Sequence, residues 1–159
     1  MNPIDKMFEY NLWANTQLMM LCDRLSDEQL TVEVKGVFGR IQPTLAHLVS
    51  GEGAYLNRLT GSRPWADDLD WDSIPISGLL DMVQQSSTQL VAIASSVDPT
   101  IAHTITFPNT DSEYRFFNWT VLLQALYHGI EHRTQVKILL TQLGVEHPEL
   151  AAWDYMDSL

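Results

Sequence analysis

The sequence predicts an all-α fold, a four-helix bundle in which some of the connections are long. Four long stretches carry apolar residues at helical spacing, and no stretch alternates strands with helices. A chain of 159 residues with 45% apolar and 18% charged residues can bury a core without disulfides, and its single Cys22 cannot form an internal one. We therefore expect one domain over residues 1–159, with a looser all-α domain as the simplest alternative.

The first half of the chain holds two of the long helices. The first is predicted over about residues 3–24, because Pro3 suits a first turn, and a Ser-x-x-Gln pattern from Ser26 predicts a short capped turn after it. Residues 31–39 have alternating valines and are expected to be extended or irregular. The second long helix is predicted over residues 43–61, where a glycine is a natural stop.

The third long helix follows a loop over residues 62–75 that is rich in Asp, Trp and Pro. It is predicted over residues 77–97, because Asp98-Pro99 would end it. Residues 100–117 are rich in β-branched and aromatic types and are broken at Pro108-Asn109. We expect a small hairpin or an ordered loop there.

The fourth long helix has the clearest pattern. It is predicted to begin at Asn118 or Thr120 and to end at Leu143, next to Gly144, and apolar residues line one of its faces. Residues 147–159 contain a proline and two aromatic residues, and we expect this tail to pack back on the bundle.

The charge balance excludes several classes of partner. Nine Lys and Arg against 20 Asp and Glu give a formal net charge of -11, which repels phosphate backbones and anionic membrane surfaces. No secretory signal or run of about 18 apolar residues is visible. We therefore expect a cytoplasmic protein that binds neither nucleic acid nor membranes and takes a small-molecule substrate.

Two histidines on the fourth helix have the spacing of metal ligands. Residues four apart share one helix face, so His128 and His132 can hold one ion, and His47 on the second long helix is the candidate third ligand. Gly51, one turn after His47, is expected to leave open space there, and Gly129 to thin the wall beside His128. Three neutral imidazoles leave the charge of the ion uncompensated, so a bound water or thiol would lose its proton near neutral pH.

Two other interpretations of these histidines are open. A pair at this spacing also occurs by chance on surface helices, and a histidine such as His47 among apolar neighbours is often a core residue. Residues 128–132 also fit the H-x-x-E-H pattern of some metalloproteases, in which Glu131 would be the general base. Those enzymes need a further acidic ligand far downstream, where this chain has only a short tail, so Glu131 is expected to face solvent.

Several motifs together resemble the DinB/YfiT superfamily. They are, in chain order, residues 10–15 (YNLWAN), 47–52 (HLVSGE), 128–135 (HGIEHRTQ) and 148–155 (PELAAWDY). Their order and separation cover nearly the whole chain. The resemblance implies a four-helix bundle, usually a homodimer, that holds one divalent metal ion through His47, His128 and His132. Zinc and nickel both suit three imidazoles.

The resemblance also implies a class of chemistry. Members with established activity are transferases and isomerases that use low-molecular-weight thiols, and others are described as metal-dependent hydrolases without a known substrate. The shared principle is an open metal position that makes a nucleophile of a water or a thiol. The sequence identifies no catalytic residue besides the metal ligands.

Polar neighbours of the histidines are candidates for supporting roles. Gln135, one turn from His132, could orient that ligand or be a plain surface residue. Arg133 could meet an anionic substrate group, although pairing with Glu52 or Glu131 is favoured, and Glu52 is expected to join helices rather than to bind metal.

Other residues have smaller predicted roles. Asn15 could line the cavity and Trp13 is expected in the core, whereas Cys22 is expected to be a small buried hydrophobe. His103 and His147 are expected at the surface.

Three functions from different classes follow. The first is a metal-dependent enzyme, either a hydrolase or a thiol-dependent transferase. The second is a non-catalytic metal-binding stress-response protein, and the third is a helical interaction module without metal. Metal analysis separates the third from the others, and turnover separates the first from the second.

Overall fold

A computed structural model describes residues 2–66, 68–106 and 112–159 and confirms the all-α bundle. Four long helices are joined by short helices, loops and a two-stranded sheet. The elements are α1 (Pro3–Cys22), α2 (Asp27–Leu30), α3 (Ile41–Thr60), α4 (Ile76–Ile93), β1 (Ala102–Thr106), β2 (Glu113–Phe117), α5 (Asn118–Gln142) and α6 (Ala152–Asp157). A 3-10 turn (Trp71–Ser73) lies in the loop before α4.

Local capping explains the starts of α1 and α2 and the end of α3. The Asn2 side chain accepts a hydrogen bond from the backbone N–H of Ile4 at the start of α1, and Ser26 forms the predicted capping box at the start of α2. α3 begins at Ile41, two residues before the predicted start, and ends at Gly61, whose φ of 76° lies in the left-handed region. The segment between α2 and α3 is irregular, as expected.

The predicted end of the third long helix is wrong. α4 ends at Ile93 and not at residue 97. The backbone N–H groups of Ser96 and Val97 both donate to the carbonyl of Ile93, and so does the Ser96 hydroxyl, at 3.0 Å. The Ser96 N–H thus bonds three residues back instead of four, so the last turn tightens before Asp98-Pro99 is reached.

The segment before α5 is a hairpin. β1 and β2 pair antiparallel, with Ala102 opposite Phe117 and Thr106 opposite Glu113. The predicted break at Pro108-Asn109 lies outside the described residues. Because β2 continues directly into α5, the hairpin stands beside the first turns of that helix.

The core lies between the four long helices, with α1 packed mainly on α4 and α3 packed mainly on α5. The larger apolar cluster draws on all four helices, and a smaller one lies towards the start of α5. The tail packs back on α1, as predicted: the Tyr10 hydroxyl donates to the Leu150 carbonyl, and Tyr155 hydrogen-bonds Glu9. No helix in the described residues has the length and apolar character needed to cross a membrane.

Candidate metal centre

The three histidines singled out in the sequence come together on facing helices. The ring centroids of His47 and His132 lie 4.8 Å apart, those of His47 and His128 5.0 Å apart, and those of His128 and His132 4.4 Å apart. One nitrogen from each ring can be chosen so that all three lie within 4.8 Å of one another. The described residues thus include a three-histidine group that could hold a metal ion.

This convergence follows from an antiparallel seam between α3 and α5. His47 contacts His132, Gly51 lies against the ring of His128, and one turn later Tyr55 contacts His128 as well. Positions one turn apart along α3 therefore face positions one turn apart along α5 in the reverse order. This is the pattern of two antiparallel helices. The i, i+4 pair on α5 and the single histidine on α3 are thereby held on the same side of the seam.

The surroundings lower the pKa values of two of the three histidines, His128 and His47. His128 and His132 are 8% and 4% exposed, whereas His47 is at the surface. Burial lowers the pKa of His128 to about 4, and the two neighbouring imidazoles add to that shift. Burial followed by repulsion from His132 lowers the pKa of His47 as well. A neutral imidazole offers the lone pair that metal coordination needs.

The donor set fits a small divalent cation. Tetrahedral coordination at about 2.1 Å brings neighbouring ligand nitrogens to about 3.4 Å, so closing the cluster requires side-chain movements on the order of 1 Å. Nδ1 of His128 is buried and has no hydrogen-bond partner among the residues that the structure describes. A bound cation or a water molecule would each satisfy this nitrogen.

Gln135 is placed to orient His132. Its Oε1 lies 2.9 Å from Nδ1 of His132, within the same helix. When Oε1 accepts, Nδ1 carries the proton and the lone pair of the ring is on Nε2. The sequence allows Gln135 either to orient His132 or to be a plain surface residue, and this contact favours the first role.

Both predictions about the glycines are wrong in detail. Gly51 does not leave open space beside His47, because the ring of His128 fills it: a Cβ at position 51 would lie within 3.1 Å of three ring atoms. Gly129 does not thin a wall beside His128. A Cβ there would instead lie within 2.8 Å of Asn11 Oδ1 and of Nη1 of Arg133.

Arg133 takes part in a buried hydrogen-bond network and does not face the histidines' open side. Its Nη1 donates to Oδ1 of Asn11 and of Asn15, at 2.7 and 2.6 Å. The amide groups of the same two asparagines donate to Oε1 of Glu52, at 3.0 and 2.9 Å. Arg133 is therefore linked to Glu52 through two asparagines rather than by direct pairing. Asn15 belongs to this network and not to a cavity wall.

Glu52 is the acceptor at the centre of this network. Besides the asparagines, the hydroxyls of Ser86 and Ser87 donate to its carboxylate at 2.6 to 3.0 Å. Burial raises the pKa of Glu52, and the hydrogen bonds and the charge of Arg133 oppose that shift. Glu52 joins helices, as expected, and is not among the metal-ligand candidates. Glu131 is exposed, as expected.

Two aromatic residues beside the cluster are not among the site residues that the sequence predicts. Phe38 stacks on His47 at 4.4 Å between centroids and meets His132 edge-on at 5.3 Å, while Tyr55 meets His128 edge-on at 5.6 Å. Phe38 lies in an irregular segment, where no periodicity predicts its neighbours. Tyr55 is two turns from His47 on one helix face, so that spacing could have identified it.

The other singled-out residues lie elsewhere. His103 hydrogen-bonds Asn118 beside the hairpin, and His147 hydrogen-bonds Thr141 near the end of α5. Cys22 is fully buried, and burial raises the pKa of its thiol to about 12, which removes it as a nucleophile. Trp13 packs against the core and Tyr155.

The sequence model described as the DinB family matches residues 1–159, the whole chain. Among curated proteins no sequence matches.

Proposed function

The chain belongs to the DinB family, and we propose that it binds one divalent metal ion through His47, His128 and His132 and uses it in catalysis. The observation that carries the proposal is the convergence of three imidazoles from two helices, with ligand atoms within 4.8 Å of one another. The activity that we propose is that of a metal-dependent hydrolase or a thiol-dependent transferase acting on a small molecule.

An open coordination position supports catalysis over a purely structural role. Zinc sites with three protein ligands keep a fourth position for water or substrate, whereas structural sites are closed by four protein ligands. His47 and Phe38 are exposed, so the cluster has a solvent-facing side. Zinc or nickel bound there would act as a Lewis acid and lower the pKa of a water or a thiol.

Protein groups around the cluster prepare it for this role. Gln135 fixes the orientation of His132, and the ring of Phe38 covers one face of His47. The packing of His128 against Gly51 and Tyr55 limits its rotation. These contacts restrict the rings to positions from which movements on the order of 1 Å would close the cluster on an ion.

Whether the metal ion activates a water molecule or a thiol depends on whether the protein can bind an anionic thiol cofactor. Low-molecular-weight thiols are mostly anionic, and Arg133 is committed to the buried network rather than to the open side of the cluster. A cation that could serve instead is Arg58, which lies on α3 and is exposed. A thiol cofactor would be compatible with the site if its anionic group extended along the seam towards Arg58.

The test is turnover by untagged protein of known metal content. We expect metal-loaded protein to hydrolyse 4-nitrophenyl acetate, or to conjugate a small thiol to 1-chloro-2,4-dinitrobenzene, faster than chelator-treated protein. Restoring zinc or nickel should restore the rate. Bound metal without turnover of either substrate would contradict the enzyme proposal and favour a non-catalytic metal-binding protein.

We further propose that a second copy of the chain covers an apolar face on the outside of α5. Leu123 and Tyr127 are each 58% exposed and Ile130 is 48% exposed, and Met7 of α1 lies beside them around an apolar hollow. Unpaired apolar faces of this kind mark protein interfaces. The formal charge of -11 would repel a second copy at acidic surfaces, which favours an uncharged face for self-association.

A further inference from the structure

A cavity beside the metal centre has no role in the function proposed so far. Its volume is about 250 Å³, and it lies between α3, the start of α5 and the hairpin. Helix residues and strand residues both contribute to its walls, chiefly Tyr55, Arg58, Tyr114, Phe116, Val121 and Gln124. The volume is slightly below the range typical of drug-sized ligands, so it suits a small metabolite.

The cavity and the histidine cluster are neighbours on one helix seam. Gln124 precedes His128 by one turn of α5, which is about 6 Å along the helix axis. Tyr55 hydrogen-bonds Gln124 and also contacts the ring of His128. Tyr55 is therefore shared by the two sites, since it lines the cavity and contacts a histidine of the cluster.

The walls define what kind of molecule would bind. Phe116 and Val121 are buried apolar side chains, and the ring of Tyr114 stacks on Phe116 at 6.0 Å. Arg58 is the one charged side chain among the described residues that line the cavity. Its Nη1 donates to the Ala54 carbonyl at 3.1 Å, and the remaining guanidinium N–H groups can bind a carboxylate or a similar anion.

We propose that this cavity binds the substrate of the metal centre, and that the substrate is a small organic anion with an apolar, preferably aromatic, body. The anionic group pairs with Arg58, the body packs on Phe116 and Val121, and Tyr55 and Gln124 supply hydrogen bonds at the end nearest His128. The proposal rests on the proposed function for the role of the bound molecule, but binding itself can be tested without catalysis.

Phenylacetate is a suitable probe, with phenylacetamide as the uncharged control of the same shape. Titration of isotopically labelled protein, followed by amide and side-chain NMR shifts, should show saturable changes at Tyr55, Val121 and Gln124. Phenylacetamide should bind at least about tenfold more weakly, because it lacks the charge-assisted hydrogen bond.

Arg58→Gln tests the assigned cation, and Arg24→Gln is the matched control. Both arginines are exposed, and Arg24 lies beyond the end of α1, outside the cavity walls. Arg58→Gln should weaken phenylacetate binding about tenfold or more, whereas Arg24→Gln should leave it unchanged. Arg58→Lys should retain part of the affinity, because the charge remains without the planar fork.

The pocket proposal and the metal proposal fail in different ways. Equal binding of phenylacetate and phenylacetamide, no loss in Arg58→Gln, or shifts confined to other surfaces would overturn the pocket. Metal analysis of the same samples tests the cluster separately. Phenylacetate binding at the cavity by protein that takes up no metal would support the pocket and contradict the proposed enzyme.

Discussion

Gly51 and Gly129 each make room for a functional side chain from elsewhere in the bundle. Gly51 on α3 leaves space for the imidazole of His128, and Gly129 on α5 leaves space for the hydrogen bond between Arg133 and Asn11. Both glycines lie inside helices, where glycine costs roughly 1 kcal/mol relative to alanine. A larger residue at either position would collide with a neighbouring side chain, which explains why glycine is present despite this cost.

Gly51→Ala is expected to weaken metal binding at least about tenfold while helix content is kept. The added methyl group overlaps the His128 ring, which must move away from the cluster. Alanine has a higher helix propensity than glycine, and circular dichroism of the variant checks that helix content is kept. Competition with a chromophoric chelator measures the affinity.

Gly39→Ala is the control, because a Cβ at that position meets nothing within 4 Å and requires no unusual backbone angle. Equal metal affinity of Gly51→Ala and the natural protein would show that the His128 ring is not fixed in the position described.

Cys22 is expected to be unreactive in the folded protein. Its side chain is fully buried and its thiol pKa is raised to about 12, so the thiolate is scarce and inaccessible at neutral pH. A disulfide-exchange reagent such as DTNB should react slowly under native conditions and release about one thiol per chain in strong denaturant. Rapid reaction of the native protein would contradict the described packing of α1.

At the level of residues, the sequence predicts the ligand candidates but not their surroundings. The spacing of His128 and His132 on one helix face needs only the helical repeat. Phe38 approaches His47 from an irregular segment, and Asn11 and Asn15 reach Arg133 from another helix. Such contacts depend on helix packing, which a single-helix pattern does not contain.

At the scale of elements, one buried network ties the four long helices together. It joins Asn11 and Asn15 of α1, Glu52 of α3, Ser86 and Ser87 of α4, and Arg133 of α5. Polar groups buried at a helix junction stabilise the arrangement that satisfies all of them. The network therefore helps to set the register of α3 against α5, on which the histidine cluster depends.

Glu52→Gln is expected to lower the free energy of unfolding by about 1–3 kcal/mol. The new amide places N–H donors against side chains that already donate to the carboxylate, so at least one buried donor loses its acceptor. Urea denaturation followed by circular dichroism measures the change.

The matched control is Glu146→Gln, which removes the same charge from an exposed residue and should change stability by less than about 0.5 kcal/mol. If both variants unfolded at the same urea concentration, the network would not contribute as described.

Helix boundaries follow from the sequence where a capping residue marks them. The capping box at Ser26 and the left-handed Gly61 are recognisable without coordinates. The end of α4 lies before the position that Asp98-Pro99 predicts, because the chain already tightens where the Ser96 N–H bonds to the Ile93 carbonyl. A tightened last turn has no sequence signal comparable to a capping residue.

At the scale of the whole molecule, the helical spacing of apolar residues predicts the fold. The proposed dimer depends instead on the apolar side chains that remain exposed on the outside of α5. The proposed homodimer predicts a solution mass of about twice the 18.1 kDa chain. Leu123→Glu combined with Ile130→Glu should yield monomers, because two buried carboxylates would be unpaired at the interface. Sedimentation equilibrium measures the mass.

Ser95→Glu places a like charge at an exposed site beyond α4 and should leave the dimer intact. A monomeric natural protein, or a double variant that still dimerises, would contradict the assignment of this face.

The measurement that tests the central claim most directly is elemental analysis of untagged protein and of three variants, His47→Ala, His128→Ala and His132→Ala. We predict about one zinc or nickel ion per chain in the natural protein, a sharp loss in each variant with helix content retained, and no loss in His147→Ala, which lies outside the cluster. Metal content that stays the same in all three variants, or no metal in the natural protein after incubation with zinc and nickel, would contradict the account.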